Sequence, residues 1–245
     1  MVRFTRFHSA AALCLSVTLA SLTLTACAPA TTTAMTSAAS GTAVASIPNA
    51  IDIPATGETR AALVIYPGAN VAPEAYRWLG EALAGRGIRT VIVRFPLNLA
   101  VLEPNRAGRV IKALGLPAGR IFLAGHSLGG AMAAQFLAGQ GAGQVAGLIL
   151  MGAYPAGNVS LHGQPLLAVL DLAAQNDGLS TLPEVQSSLP RLPEKTRLVV
   201  LPGAVHADFG RYGEQKGDGL RVTAREVTEA AIIGEVAGFI EGVAR

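Results

Sequence analysis

Gly125-His126-Ser127-Leu128-Gly129 constrains this chain more than any other stretch. It follows the apolar run Ile121-Phe122-Leu123-Ala124 and precedes Gly130-Ala131-Met132-Ala133-Ala134-Gln135-Phe136-Leu137, a good helix former. Strand, tight turn and helix is the context in which G-x-S-x-G presents a nucleophilic serine on a sharp elbow. Gly125 and Gly129 flank Ser127 at two-residue spacing and remove side chains where strand and helix would collide. A serine hydroxyl is a weak nucleophile at neutral pH; it needs exposure, a base and donors for the oxyanion it creates. The turn supplies the exposure. The helix start behind Leu128 aims N–H groups and a positive dipole end at the same point. A Gly-rich turn can also be purely architectural, so the rest of the chain must supply the partners.

The N-terminal segment reads differently. Behind Arg3 and Arg6, Ser9 to Thr25 is apolar or small and carries no charge. That is an export-leader pattern, too short and too rich in Ser and Thr for a membrane span. It ends in Leu24-Thr25-Ala26-Cys27, which resembles a bacterial lipobox, whose cysteine is lipidated and becomes the new N-terminus. Residues 1–26 are therefore expected to be a lipoprotein signal peptide, with Cys27 the lipidation site. The chain is then lipid-anchored in a bacterial cell envelope, on the periplasmic side or in the outer membrane. Ala rather than Asp at position 28 favours the outer membrane in the lipoproteins it resembles. Cleavage at Ala28-Pro29-Ala30, giving a secreted protein, is the alternative. Residues 27–46, mostly Ala, Thr and Ser, read as a flexible tether, and 47–245 as one folded domain. Both cysteines, Cys14 and Cys27, precede that domain, so it has no disulfide to form. Without the two leader arginines, 17 basic side chains face 16 acidic ones, which removes any electrostatic case for nucleic acid.

Within the domain apolar and amphipathic runs alternate. Strands are expected at 61–66, 89–95, 120–124, 145–151, 165–172 and 197–201. Helices are expected at 73–85, 104–114, behind the serine, at 183–189 and at 222–244. The pattern predicts an α/β domain with a mainly parallel sheet covered by helices on both faces. The connection from Met151 to Pro165 is short, which predicts a minimal cap or none.

In such a sheet with an elbow serine the catalytic order is nucleophile, acid, base. His8 lies in the leader, His126 inside the elbow, and His162 before any plausible acid. His206 follows the strand Arg197-Leu198-Val199-Val200-Leu201 and the turn Pro202-Gly203, where a base belongs. For the acid, Asp177 lies in the polar turn Gln175-Asn176-Asp177-Gly178; Asp171 is the second candidate but falls within a strand run. Asp208 is too close to His206 in sequence to reach round to its ring. The oxyanion donors expected are the backbone N–H groups of Leu128 and of Ala69, with Asn70 beside it, in the loop after the first strong strand.

Three stretches carry a family resemblance: Tyr66-Pro67-Gly68-Ala69 with Pro73-Glu74-Ala75-Tyr76; Gly125 to Gly130; and Asn176-Asp177-Gly178 with Gly203 to Gly210. From about Arg60 to Arg245 the chain resembles an α/β-hydrolase, in particular the small lid-less bacterial type similar to dienelactone hydrolases. Two departures matter. Serine stands where true dienelactone hydrolases have cysteine, which argues against that reaction. Pro67 stands where relatives usually carry a histidine that organises the oxyanion loop. The stretch Tyr212 to Gly219 resembles a loop of relatives but suggests no mechanism of its own.

The resemblance implies a serine hydrolase acting on a small-molecule, ester-type acyl substrate through Ser127, Asp177 and His206, by way of an acyl-enzyme. The same triad serves amide or peptide hydrolysis, and the same fold can serve a non-catalytic envelope binding protein. No cofactor is implied. The histidines beyond the leader lack metal-ligand spacing, and the elbow lacks the Lys-Ser/Thr ending of a phosphate loop.

Overall fold

The apolar runs become a sheet, and the amphipathic runs between them become its two covering layers. A computed structural model describes residues 47–244. The expected signal peptide over 1–26, the lipidation site Cys27 and the tether over 27–46 lie outside the described residues. In chain order the elements are β1 (Ala50–Ile53), β2 (Ala61–Tyr66), α1 (Arg77–Ala84), β3 (Ile88–Val93), α2 (Arg106–Leu114) and β4 (Ile121–His126). They continue with α3 (Leu128–Ala138), β5 (Gly147–Met151), β6 (Ala168–Ala174), α4 (Leu182–Ser188), β7 (Arg197–Leu201) and α5 (Arg225–Val243).

The strands form one seven-stranded sheet in the order β1-β3-β2-β4-β5-β6-β7. Every pairing is parallel except that of the edge strand β1 with β3. Strand residues alternate between two buried layers, as the pleat requires. Leu63 and Ile65 pack with Trp78, Leu79 and Leu83 of α1 and with Ile232, Val236 and Ile240 of α5. Val64 and Tyr66 pack on the other face with Val110 and Ile111 of α2 and Ala133, Phe136 and Leu137 of α3. Strands buried on both faces read as continuous apolar runs, which is why β2 and β4 were legible.

Several boundaries differ from the expectation, among them β6, which runs Ala168–Ala174 rather than 165–172. The helix expected at 73–85 opens as a 3-10 turn, Pro73–Tyr76, and becomes α-helical only from Arg77. The last helix starts at Arg225 rather than near 222. β1 was not expected. Its four residues, Ala50-Ile51-Asp52-Ile53, are too short to show a period, and it is secured by a tertiary contact. Arg89 of β3 donates from Nε (2.9 Å) and from a terminal nitrogen (2.6 Å) to the two oxygens of Asp52, a fork geometry suited to a carboxylate. Residues 152–167, between β5 and β6, hold no helix, so this connection builds no helical cap.

Asp171 lies mid-β6, between Leu150 and Leu198 on the neighbouring strands, fully buried, and neither oxygen has a hydrogen-bond partner among the described residues. Burial pushes its pKa up to about 8. An unfolded aspartate releases its proton near pH 4, so the folded state holds an extra proton between about pH 4 and 8 and loses stability as pH rises through that window. Asp171→Leu is expected to raise unfolding free energy by about 2 kcal/mol or more at pH 8 and by clearly less at pH 4. Urea denaturation at the two pH values checks this; equal gains at both would contradict it.

Candidate active site

The elbow is a place where backbone touches backbone. Ser127 has φ 54° and ψ −127°, outside the regions that non-glycine residues ordinarily occupy. A Cβ on Gly125 would lie 2.5 Å from the carbonyl carbon of Gly129 and from Cα of Gly130. A Cβ on Gly129 would fall onto the carbonyl oxygens of Tyr66 and Pro67. The two glycines therefore allow α3 to start directly over β4 and beside the end of β2. That second approach brings the Gly68-Ala69 turn next to Ser127.

Asp177 and His206 arrive from the loops after β6 and β7. His206 Nδ1 lies 2.7 Å from Asp177 Oδ2, with both side chains buried. Asp177 Oδ1 accepts from the N–H groups of Leu179 (2.8 Å) and Ser180 (2.7 Å), which fixes the carboxylate plane. A carboxylate only accepts, so the histidine proton sits on Nδ1 and Nε2 carries the basic lone pair. His206 Nε2 is buried and has no hydrogen-bond partner among the described residues. The structure thus brings acid and base together but does not close a hydrogen bond from Ser127 to His206. His126, next to Ser127, packs its ring against that of His206 at 4.5 Å between centroids. Of the other candidates, Asp171 points into the core without a partner, and Asp208 accepts from Arg221 Nε (2.7 Å) and the Val205 N–H (3.0 Å).

On the oxyanion side, most N–H groups already have acceptors. Gly68 N–H donates to the Tyr76 hydroxyl (2.8 Å), Asn70 N–H to the Asn98 carbonyl (3.0 Å) and Val71 N–H to the Gly68 carbonyl (3.2 Å). Among the described residues the Ala69 N–H donates to nothing. Leu128, the first residue of α3, has no acceptor within its own helix. Both groups remain available.

Two site residues escaped sequence reasoning. The Tyr76 hydroxyl, having accepted from Gly68, directs its proton to His126 Nδ1 at 2.8 Å. Burial, and after it the adjacent His206, hold the His126 pKa well below the usual range, so the ring is neutral. Tyr76 and His126 together brace the turn whose usual histidine is Pro67 here. The other is Gly152, just after β5, with φ 51°. A Cβ there would lie 3.0 Å from Asp177 Oδ2 and 2.9 Å from the Phe209 ring. Asp177 crosses over the end of β5 only because that position is glycine. Neither signal is local: Tyr76 and His126 are separated by 50 positions, and Gly152 matters only through what passes above it.

A mainly parallel sheet with a strained serine after a central strand and a histidine after the last one is the arrangement of α/β-hydrolases. Residues 62–229 match the alpha/beta hydrolase family, and the chain belongs to it. No curated protein matches the chain in sequence. Its fold is similar to that of a ferulic acid esterase from Streptomyces cinnamoneus, at 24% identity and a TM-score of 0.60, over 78% of this chain and 69% of that one. It is also similar to a monoacylglycerol lipase from Paleococcus ferrophilus (15% identity, TM-score 0.58, 78% and 98% covered). The alpha/beta hydrolase GrgF from Penicillium sp. sh18 is a third (13% identity, TM-score 0.62, 79% and 93% covered). At these identities the likeness is one of fold.

Tyr76→Phe strands the Gly68 N–H and His126 Nδ1 in a buried site. It is expected to lower stability by about 1–3 kcal/mol and to loosen the Gly68-Ala69 turn. Denaturant unfolding, with the rate of covalent labelling at Ser127 by a fluorophosphonate, checks it; wild-type values in both would show that the hydroxyl does not brace the turn.

Proposed function

We propose that this protein is a serine hydrolase that cleaves an ester-type acyl substrate. The observation that carries the reading is the buried Asp177–His206 pair, with its basic nitrogen left unengaged beside the strained elbow of Ser127.

Ser127 Oγ attacks the ester carbonyl while His206 Nε2 takes its proton. Asp177 holds the ring in the required tautomer and stabilises the imidazolium that forms. The carbonyl oxygen, now negative, is received by the N–H groups of Leu128 and Ala69, neither of which has an acceptor among the described residues. Collapse of the tetrahedral intermediate expels the alcohol, protonated by His206, and leaves an acyl-enzyme. Water, deprotonated by His206, adds to the acyl carbon and releases the acid and free Ser127.

The substrate side is open. Ser127 is partly exposed, and the segment 96–102, joined to the oxyanion loop through Asn70 and Asn98, exposes Leu97, Val101 and Leu102. These apolar side chains suit an acyl or aryl group of modest size. Two of the similar structures are, by name, an esterase and a lipase, which supports an ester over an amide. The lipobox-like Leu24-Thr25-Ala26-Cys27 supports a lipid-anchored position in the cell envelope for this activity.

Fluorophosphonate labelling tests the chemistry. Ser127 is expected to label in the wild type, not at all in Ser127→Ala, and far more slowly in His206→Ala. With a short-chain ester, Asp177→Asn is expected to lower kcat by about 10⁴-fold, as loss of the orienting carboxylate does in such triads. A well-folded wild type that does not label would end the reading.

A further inference from the structure

We infer that Asp218 is a positioning residue that holds the acid and base loops at the separation their hydrogen bond requires, an inference that rests on the serine-hydrolase reading above. Asp218 belongs to the Gly-rich loop Tyr212 to Gly219, which no helix or strand absorbs. Its Oδ1 accepts from the N–H groups of His206 (3.0 Å), Gly219 (2.9 Å) and Gly178 (3.3 Å). Its Oδ2 accepts from the Ala207 N–H (2.9 Å). One carboxylate thus grips the base, the residue after the base and the residue after the acid.

The chemistry requires an anion with two oxygens. Four N–H donors converge on this side chain, and only a carboxylate offers acceptor sites to all of them. An amide would present one acceptor oxygen and turn its own N–H donors toward a backbone N–H, that of Ala207 if the oxygen keeps the Oδ1 position.

Sterics support the same role independently of charge. A Cβ on Gly178 would fall onto the carbonyl oxygen of Gly217, and one on Gly219 onto that of Asn176. The backbone of the loop therefore lies directly against the acid turn. Asn176 Nδ2 donates to the Leu220 carbonyl at 2.8 Å, closing the contact from the other side. Beyond it, Arg221 Nε reaches Asp208 Oδ1 at 2.7 Å, while Asp208 Oδ2 accepts from the Val205 N–H at 3.0 Å. The stretch from Gly217 to Arg221 is thus fastened to both catalytic loops.

Asp218 has no contact with the reacting atoms; it acts through the position of His206. A shift of the ring by about 1 Å is enough to lower turnover by about 10²-fold. Asp218→Ala is therefore expected to reduce kcat by about 10²-fold with KM within about twofold of wild type. Asp218→Asn is expected to fall between, because its remaining oxygen keeps part of the grip. Gly219→Ala, which leaves every polar group in place, is expected to give the same split in kcat against KM. The decisive readout is the low-field proton resonance of His206 Nδ1–H, recorded on each variant together with its melting temperature. Loss or upfield shift of that resonance in a folded variant supports the clamp. Wild-type kcat and an unmoved resonance in Asp218→Ala overturn it. Should Asp218→Ala fail to fold, Asp218→Asn and Gly219→Ala decide by the same criteria. Absence of labelling at Ser127 in the wild type would sink the hydrolase reading instead, and the resonance would still report on the clamp.

Discussion

The contact on which the rest of the site depends is that of backbone against backbone at the elbow. β4 runs into Ser127, the chain reverses, and α3 climbs away with Gly129 pressed on the carbonyls that end β2. Holding Ser127 in its unusual conformation costs on the order of 1–3 kcal/mol. The apolar layers on both sides of the sheet offset that cost, since β4 and α3 are both anchored in them. The same contact decides where the oxyanion donors stand. β2 is the neighbour of β4, so the loop that leaves it can only pass beside the serine.

The other half of the site is assembled by polar groups rather than by close packing. Two aspartates six positions apart show what this means. Asp171 sits where the strand offers no donors, and burial keeps it protonated to about pH 8. Asp177 lies past the strand end, where the Leu179 and Ser180 N–H groups and His206 converge on it. Side-chain chemistry is identical; backbone donors free at the end of a strand give Asp177 the hydrogen bonds that Asp171 lacks. The Asn176 N–H, bonded to the Ala204 carbonyl at 2.8 Å, joins the acid and base loops directly, and Asp218 spans them a second time.

His126 shows how one residue can serve both halves. Its ring packs against that of His206 and its Nδ1 is hydrogen-bonded to the Tyr76 hydroxyl, so it lies between the base and the oxyanion turn. A charged ring there would oppose the imidazolium that His206 must form. Full burial keeps His126 neutral and removes that conflict.

The alternation of strands and helices, the elbow at Ser127 and, through chain order, the two residues that the fold pairs, Asp177 and His206, were legible along the chain. These follow from local rules: apolar runs buried on both faces, glycines flanking a sharp turn, and polar turns at strand ends. It took the contacts between loops to show that Asp171 is a buried bystander, that the Ala69 N–H has no acceptor among the described residues, and what Tyr76, His126, Gly152 and Asp218 do around the site. The physical reason is that a hydrogen bond or a close contact between loops is set by which strands lie side by side. The parallel order β2-β4-β5-β6-β7 brings those loops together along the C-terminal ends of the strands, and no spacing along the chain encodes that neighbourhood.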